Sequence, residues 1–96
     1  MKIIAIEKEK DGLSTDDFKP HLKQEAEMVW QLQQQDIIRE IHFRADEHCA
    51  VLILECESTA KAKSTLAELP LVKHGLIDFE LIPLKPYPGL QRLFAQ

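Results

Sequence analysis

The chain has 96 residues, of which 45% are apolar and 29% charged, and a net charge of −4. This composition fits one ordinary globular domain, small enough that burying a full core favours association with a second copy. Lys and Arg are spread along the chain, which excludes a nucleic-acid partner, since that needs a concentrated basic face; no apolar run nears the roughly 18 residues of a membrane span.

Residues 2–9 alternate and are rich in isoleucine, which predicts a first strand. Met1 to Glu7 is too short and turns acidic too soon for a signal peptide. Asp11-Gly12 predicts a turn. Ser14, Thr15, Asp16 and Asp17 offer helix N-caps and put negative charge where the helix dipole favours it. A long helix is predicted to follow to about Gln35, with Pro20 in or just after its first turn. Ile37 to Arg44 predicts the second strand, Asp46-Glu47-His48 a turn, and Cys49 to Glu57 the third strand. Ser58 or Thr59 caps an alanine-rich helix that ends at Leu69, before Pro70. A turn at Gly75 leads into a fourth strand, Leu76 to Leu84. The remaining residues, 85–96, read as an apolar, proline-rich arm with a short helical turn, in one domain spanning 1–96.

The order βαββαβ predicts an α+β, ferredoxin-like sandwich: a four-stranded antiparallel sheet with two helices on one face. The other face is tested by alternation. Ala50, Leu52 and Leu54 point one way and Val51 and Ile53 the other; Ile4 and Ile6 oppose Ile3 and Ala5. A face turned to water would alternate more cleanly. The open face is therefore expected to be covered by a second copy, which makes a homodimer, open to larger assembly, in the form of a dimeric α+β barrel. Cys49 and Cys56 bracket one extended run. At about 3.3 Å per residue they lie roughly 23 Å apart on opposite faces. A disulfide needs about 7 Å or less between Cα atoms, so both thiols are expected reduced and the protein cytoplasmic.

With this architecture, the residues around the central turn (Arg44, His48, Ala50), Leu69-Pro70-Leu71, Asp78-Phe79-Glu80 and Pro88 resemble the muconolactone isomerase family of dimeric α+β barrel proteins over nearly the whole chain. The resemblance implies a sheet-to-sheet dimer and a cofactor-free proton shift on a small unsaturated lactone acid. The chain departs from the family in having Arg39 and Phe43 where tryptophans stand on the second strand, Tyr87 where a histidine precedes the arm proline, and a longer turn after Leu71.

Phe18, Leu22, Val29 and Leu32 form one apolar stripe on the first helix. Glu25 falls inside it, with His21 four residues before. A carboxylate on a core-facing stripe is costly unless paired, and desolvation raises its pKa, which suits a general acid or base; the bland alternative is a surface pair at the stripe edge. On the second strand, alternation puts Ile38, Glu40, His42 and Arg44 on one face and Ile37, Arg39, Ile41 and Phe43 on the other. His42 could move a proton near neutral pH, and Arg44 or Arg39 could hold a substrate carboxylate. The alternative is a solvated edge strand. His48 and His74 fall in turns and read as solvated; Trp30 reads as packing at the helix flank.

His21, Glu25 and His42 are too scattered to predict a metal, and no cysteine or histidine cluster has zinc spacing. The isolated glycines make no phosphate loop. No cofactor is expected. Two readings stay open: an isomerase-like enzyme, with Glu25, His21 and His42 moving protons and Arg44 and Arg39 binding a small organic acid or lactone, or a non-catalytic ligand-binding or assembly module. Nothing in the residues favours a cofactor-independent oxygenase of the same barrel class. A cavity between helix and sheet would separate the first two.

Overall fold

A computed structural model describes residues 1–94; the last two residues of the expected arm lie outside the described residues. Four strands, β1 (Lys2–Glu9), β2 (Ile38–Phe43), β3 (Ala50–Glu55) and β4 (Ile77–Pro83), form one sheet in the order β2-β3-β1-β4. Every neighbouring pair is antiparallel. The α+β, ferredoxin-like topology expected from the sequence is the one found.

The first predicted helix comes in three pieces: α1 (Thr15–Phe18), a 3-10 turn (Lys19–His21) and α2 (Leu22–Gln34). Pro20 lies in the 3-10 turn, where its missing N–H would have broken a continuous α-helical ladder. Asp17 Oδ2 accepts the Ser14 backbone N–H at 2.8 Å and so closes the entry to α1. The second helix, α3 (Thr59–Leu66), is capped by Ser58, whose Oγ accepts the Lys61 N–H at 3.0 Å. It stops before Leu69, and Pro70 then opens a separate short helix, α4 (Pro70–Lys73), instead of merely ending the previous one. Gly75 follows at φ +75°, a conformation that side chains disfavour.

The core lies on the helix-covered side of the sheet. Ile3 and Ala5 of β1, Leu52 and Leu54 of β3 and Ile38 of β2 are buried there against Ala62, Leu66 and Leu69. Leu54 faces both Ile3 and Ile38 across the ladders. The opposite side carries Ile4 between Ile53 and Ile82, and Ile6 beside Val51, all half-buried. Charges rim this stripe: Lys8 pairs with Glu80 at 3.6 Å, and His42 contacts Glu40 at 2.9 Å.

A β-bulge between Ile38 and Glu40 resets the alternation of β2. Ile38 stays in the core, while beyond the bulge Ile41 and Phe43 turn to the helix side and Glu40 and His42 to the open side. The predicted grouping of Ile38 with His42 on one face is thereby overturned.

Beyond Pro83 the chain leaves the body and ends in a 3-10 turn at Pro88–Leu93. Leu90, Leu93 and Phe94 are exposed, Phe94 by 82%. The radius of gyration is 15.9 Å, against about 12 Å for a compact chain of this length, because this arm projects. Trp30, expected to pack at the helix flank, is 60% exposed. Cys49 is buried, with its Sγ donating to the Glu7 carbonyl at 3.1 Å, and Cys56 is half-buried with its thiol pushed up by desolvation; both are free. Among the described residues no helix is long and apolar enough to cross a membrane.

Leu54 is 1% exposed at the centre of this core. Leu54→Ala is expected to cost about 3 kcal/mol in chemical denaturation through lost burial and the void left behind; a cost below about 1 kcal/mol would mean the core is not packed as described.

Candidate functional site

A cavity of about 590 Å³ lies between α1, α2 and the helix-facing side of the sheet. Phe18, Leu22 and Val29 form its helical wall; Ile41, Phe43, Leu52, Ile77 and Phe79 form its sheet wall; Leu69 and Leu71 close one end. The volume is within the usual range for a small-molecule site, and the lining has the usual character: an apolar surface with a few polar groups.

Glu25 is the charged group on the helical wall. It lies in the first turn of α2, inside the apolar stripe, as the sequence pattern placed it. Its Oε1 accepts the Leu71 backbone N–H at 2.9 Å. Leu71 follows Pro70 at the start of α4, so this amide is one of those a helix leaves without an internal partner. Glu25 thus ties α2 to α4 across 46 residues of sequence. Desolvation raises the carboxyl's pKa above the usual value, the Leu71 hydrogen bond works against that rise, and the nearby Glu7 charge adds to it.

Glu7 and Glu9 line the same cavity from β1, together with His48. Glu7 Oε1 accepts the Ala50 N–H at 2.9 Å, which holds the carboxylate against the β3 end of the sheet. His48 stands at the mouth, 78% exposed, with Nδ1 3.1 Å from Glu9 Oε1 and its ring edge-on to Phe43. The two β1 carboxylates were missed in the sequence although a signal existed. Glu7 continues the Ile3–Ala5 alternation by one more step, and that phase alone places it on the helix side.

The other expected site residues are elsewhere. His21 does not meet Glu25 along the helix; its ring stacks on His74, centroids 4.2 Å apart. His42, turned outward by the bulge, is 61% exposed beside Glu40. Arg39 donates from Nε to the Asp36 carbonyl at 2.7 Å. Arg44 is held by its own turn: Nε and Nη2 bind Asp46 at 2.8 and 2.6 Å, and Nη1 reaches Glu47 at 3.0 Å. That fork raises the guanidinium's pKa and lowers Asp46's. Neither arginine nor either of these two histidines lines the cavity. Of the five, the fold brings Glu25 alone to it. Among the described residues, no group of three or more His, Cys, Asp or Glu side chains is arranged to hold a metal ion.

Two examples among the solved structures that share this architecture are instructive. One is a muconolactone isomerase, with a TM-score of 0.73 at 20% identity over 93% of each chain. This is a muconolactone isomerase-like fold. The second is the 5-chloro-2-hydroxyhydroquinone dehydrochlorinase of Burkholderia phenoliruptrix, solved with 2,5-dihydroxybenzoquinone; its TM-score is 0.69 at 18% identity, over 93% of this chain and 98% of that one. No family model and no curated protein matches the sequence.

The raised Glu25 pKa has a consequence for stability. The folded protein holds this proton more tightly than the unfolded chain, so its contribution is complete below the ordinary value of 4.5 and is lost as pH rises through the raised value. Glu25→Gln keeps an acceptor for Leu71 and removes the titration. Thermal melts are expected to show wild type losing stability relative to Glu25→Gln as pH rises from 4 towards neutrality; a constant difference would place Glu25 in water.

Proposed function

We propose that this protein is a cofactor-free, isomerase-like enzyme of the cytoplasm that moves a proton on a small lactone or unsaturated acid bound between α2 and the sheet. One observation carries the reading: a carboxyl with a raised pKa stands on the wall of a mostly apolar cavity large enough for such a ligand. The muconolactone isomerase and dehydrochlorinase folds are consistent with it.

In this reading Glu25 is the proton carrier. Oε1 is occupied by the Leu71 amide, which leaves Oε2 for the ligand. Glu25 takes a proton from a carbon beside the carbonyl, the C–H electron pair passes into a conjugated enolate, and the same proton returns at the far carbon of the conjugated system. No electrons leave the substrate, so the step is redox-neutral and needs no co-reactant. A carboxyl pKa shifted towards neutrality suits both directions of transfer. Thr15, which also lines the cavity, offers a hydroxyl to the enolate oxygen. His21, His42, Arg39 and Arg44 have no part in the step.

The same reading includes a homodimer closed sheet to sheet. Its support is the stripe of Ile4, Ile6, Val51, Ile53 and Ile82, half-buried in one chain and rimmed by charge, together with an exposed apolar C-terminal arm. A sheet-face partner leaves the cavity, which is on the other side, open to ligand.

With a panel of unsaturated lactones and their acids, Glu25→Gln should lower turnover at least about 100-fold with its melting transition intact. Wild type that turns over none of them would remove the enzymatic reading and leave a binding or assembly module. Light scattering should give twice the 11.1 kDa chain mass for wild type and the single-chain mass for Ile53→Lys; a monomeric wild type would end the dimer proposal.

A further inference from the structure

The charge balance of the cavity points to a narrower ligand class than lactones and acids together. Three carboxylates line it, Glu7, Glu9 and Glu25, and no lysine or arginine does among the described residues. The one group there able to carry positive charge, His48, is set against Glu9 at the mouth, so a positive charge on its ring is already matched by a carboxylate. Both arginines that could have received an anion are spent elsewhere, Arg44 on Asp46 and Glu47 and Arg39 on the Asp36 carbonyl.

We infer that the cavity takes a ligand that carries hydrogen-bond donors and no negative charge, a hydroxylated, uncharged ring being the plain case, and that Glu7 enforces this choice. The inference rests on the cavity being the substrate site proposed above and narrows its substrate to the uncharged members of that class.

The geometry gives each wall a task. Phe18, Ile41, Phe43 and Phe79 supply flat apolar surface for a ring. Glu7 is fixed through Oε1 by the Ala50 amide, and Oε2 has no other hydrogen-bond partner among the described residues, so it can accept from a ligand hydroxyl. An anion in the same space meets the Glu7 carboxylate with no lysine or arginine in the lining to offset it, which is specificity by repulsion. A bound negative charge would also hold the proton on Glu25 more tightly and leave less free carboxylate to accept one. Selection against anions therefore protects the chemistry as well as the binding.

Two fluorescent probes with one skeleton test this: uncharged N-phenyl-1-naphthylamine and its 8-sulfonate, titrated into wild type and Glu7→Gln. Glutamine keeps the Ala50 acceptor and removes the charge. The amide resonances of Ala50 and Leu71 report whether the cavity is the place of binding. The expected result is that both amides shift, that wild type binds the uncharged probe at least about tenfold more tightly, and that Glu7→Gln tightens the sulfonate severalfold and narrows the gap between the two probes. Amide shifts with a sulfonate affinity indifferent to Glu7→Gln would overturn charge selection and leave the cavity as a ligand site. Absence of amide shifts with either probe would overturn the cavity as a ligand site altogether. Failure of the proton-transfer reading is scored separately, by unchanged turnover in Glu25→Gln.

Discussion

The hydrogen bond from the Leu71 amide to Glu25 organises the functional end of this molecule. A carboxylate within the apolar stripe of α2 cannot be pressed onto the sheet without a partner, since desolvating it unpaired would cost several kcal/mol. The partner it finds is an amide that α4 leaves unpaired at its own start. α2 is thus tied to α4 beside the cavity that lies between α2 and the sheet. At the other end of the same helix Leu32 has no such constraint and packs against the core.

Contrast between the two faces of the sheet follows from topology. Both crossovers put their helices on one side, so one side holds the core and the cavity and the other an isoleucine- and valine-rich stripe with charged edges. The bulge in β2 decides which residues belong to which side. It delivers Ile41 and Phe43 to the cavity and sends His42 and Glu40 away. The polar character of the site then comes from β1 and α2 rather than from β2, and all of it is acidic apart from His48 and two hydroxyl residues. A muconolactone isomerase-like fold here carries a cavity lined by three carboxylates and by no lysine or arginine among the described residues.

Much of this is legible in the residues. Strand and helix order, the antiparallel sheet and the αL turn at Gly75 follow from periodicity and turn chemistry. Glu25 stands out because a charge at helical spacing among Phe18, Leu22 and Val29 is costly unless something receives it. The failures have physical causes. Alternation along β2 cannot be read through a bulge, because one extra residue inverts the phase of every later side chain without changing composition. Arg44 looks available for a substrate in sequence, yet Asp46 and Glu47 lie within reach of its fork in the turn that follows. His21 and His74 are 53 residues apart, and only the folding of α4 against the start of α2 stacks them. Glu7 was within reach of the same alternation argument that placed Ile3 and Ala5.

The central claim is that Glu25 carries an exchangeable proton inside a cavity it shares with Glu7. A carbon-detected NMR titration of the Glu25 carboxyl, in wild type and in Glu7→Gln, addresses it without knowledge of the substrate. The account predicts a midpoint above the ordinary glutamate value of 4.5 in wild type and a lower one in the variant, where the Coulomb contribution of Glu7 is gone. A wild-type midpoint at or below 4.5, unmoved by the substitution, would contradict it.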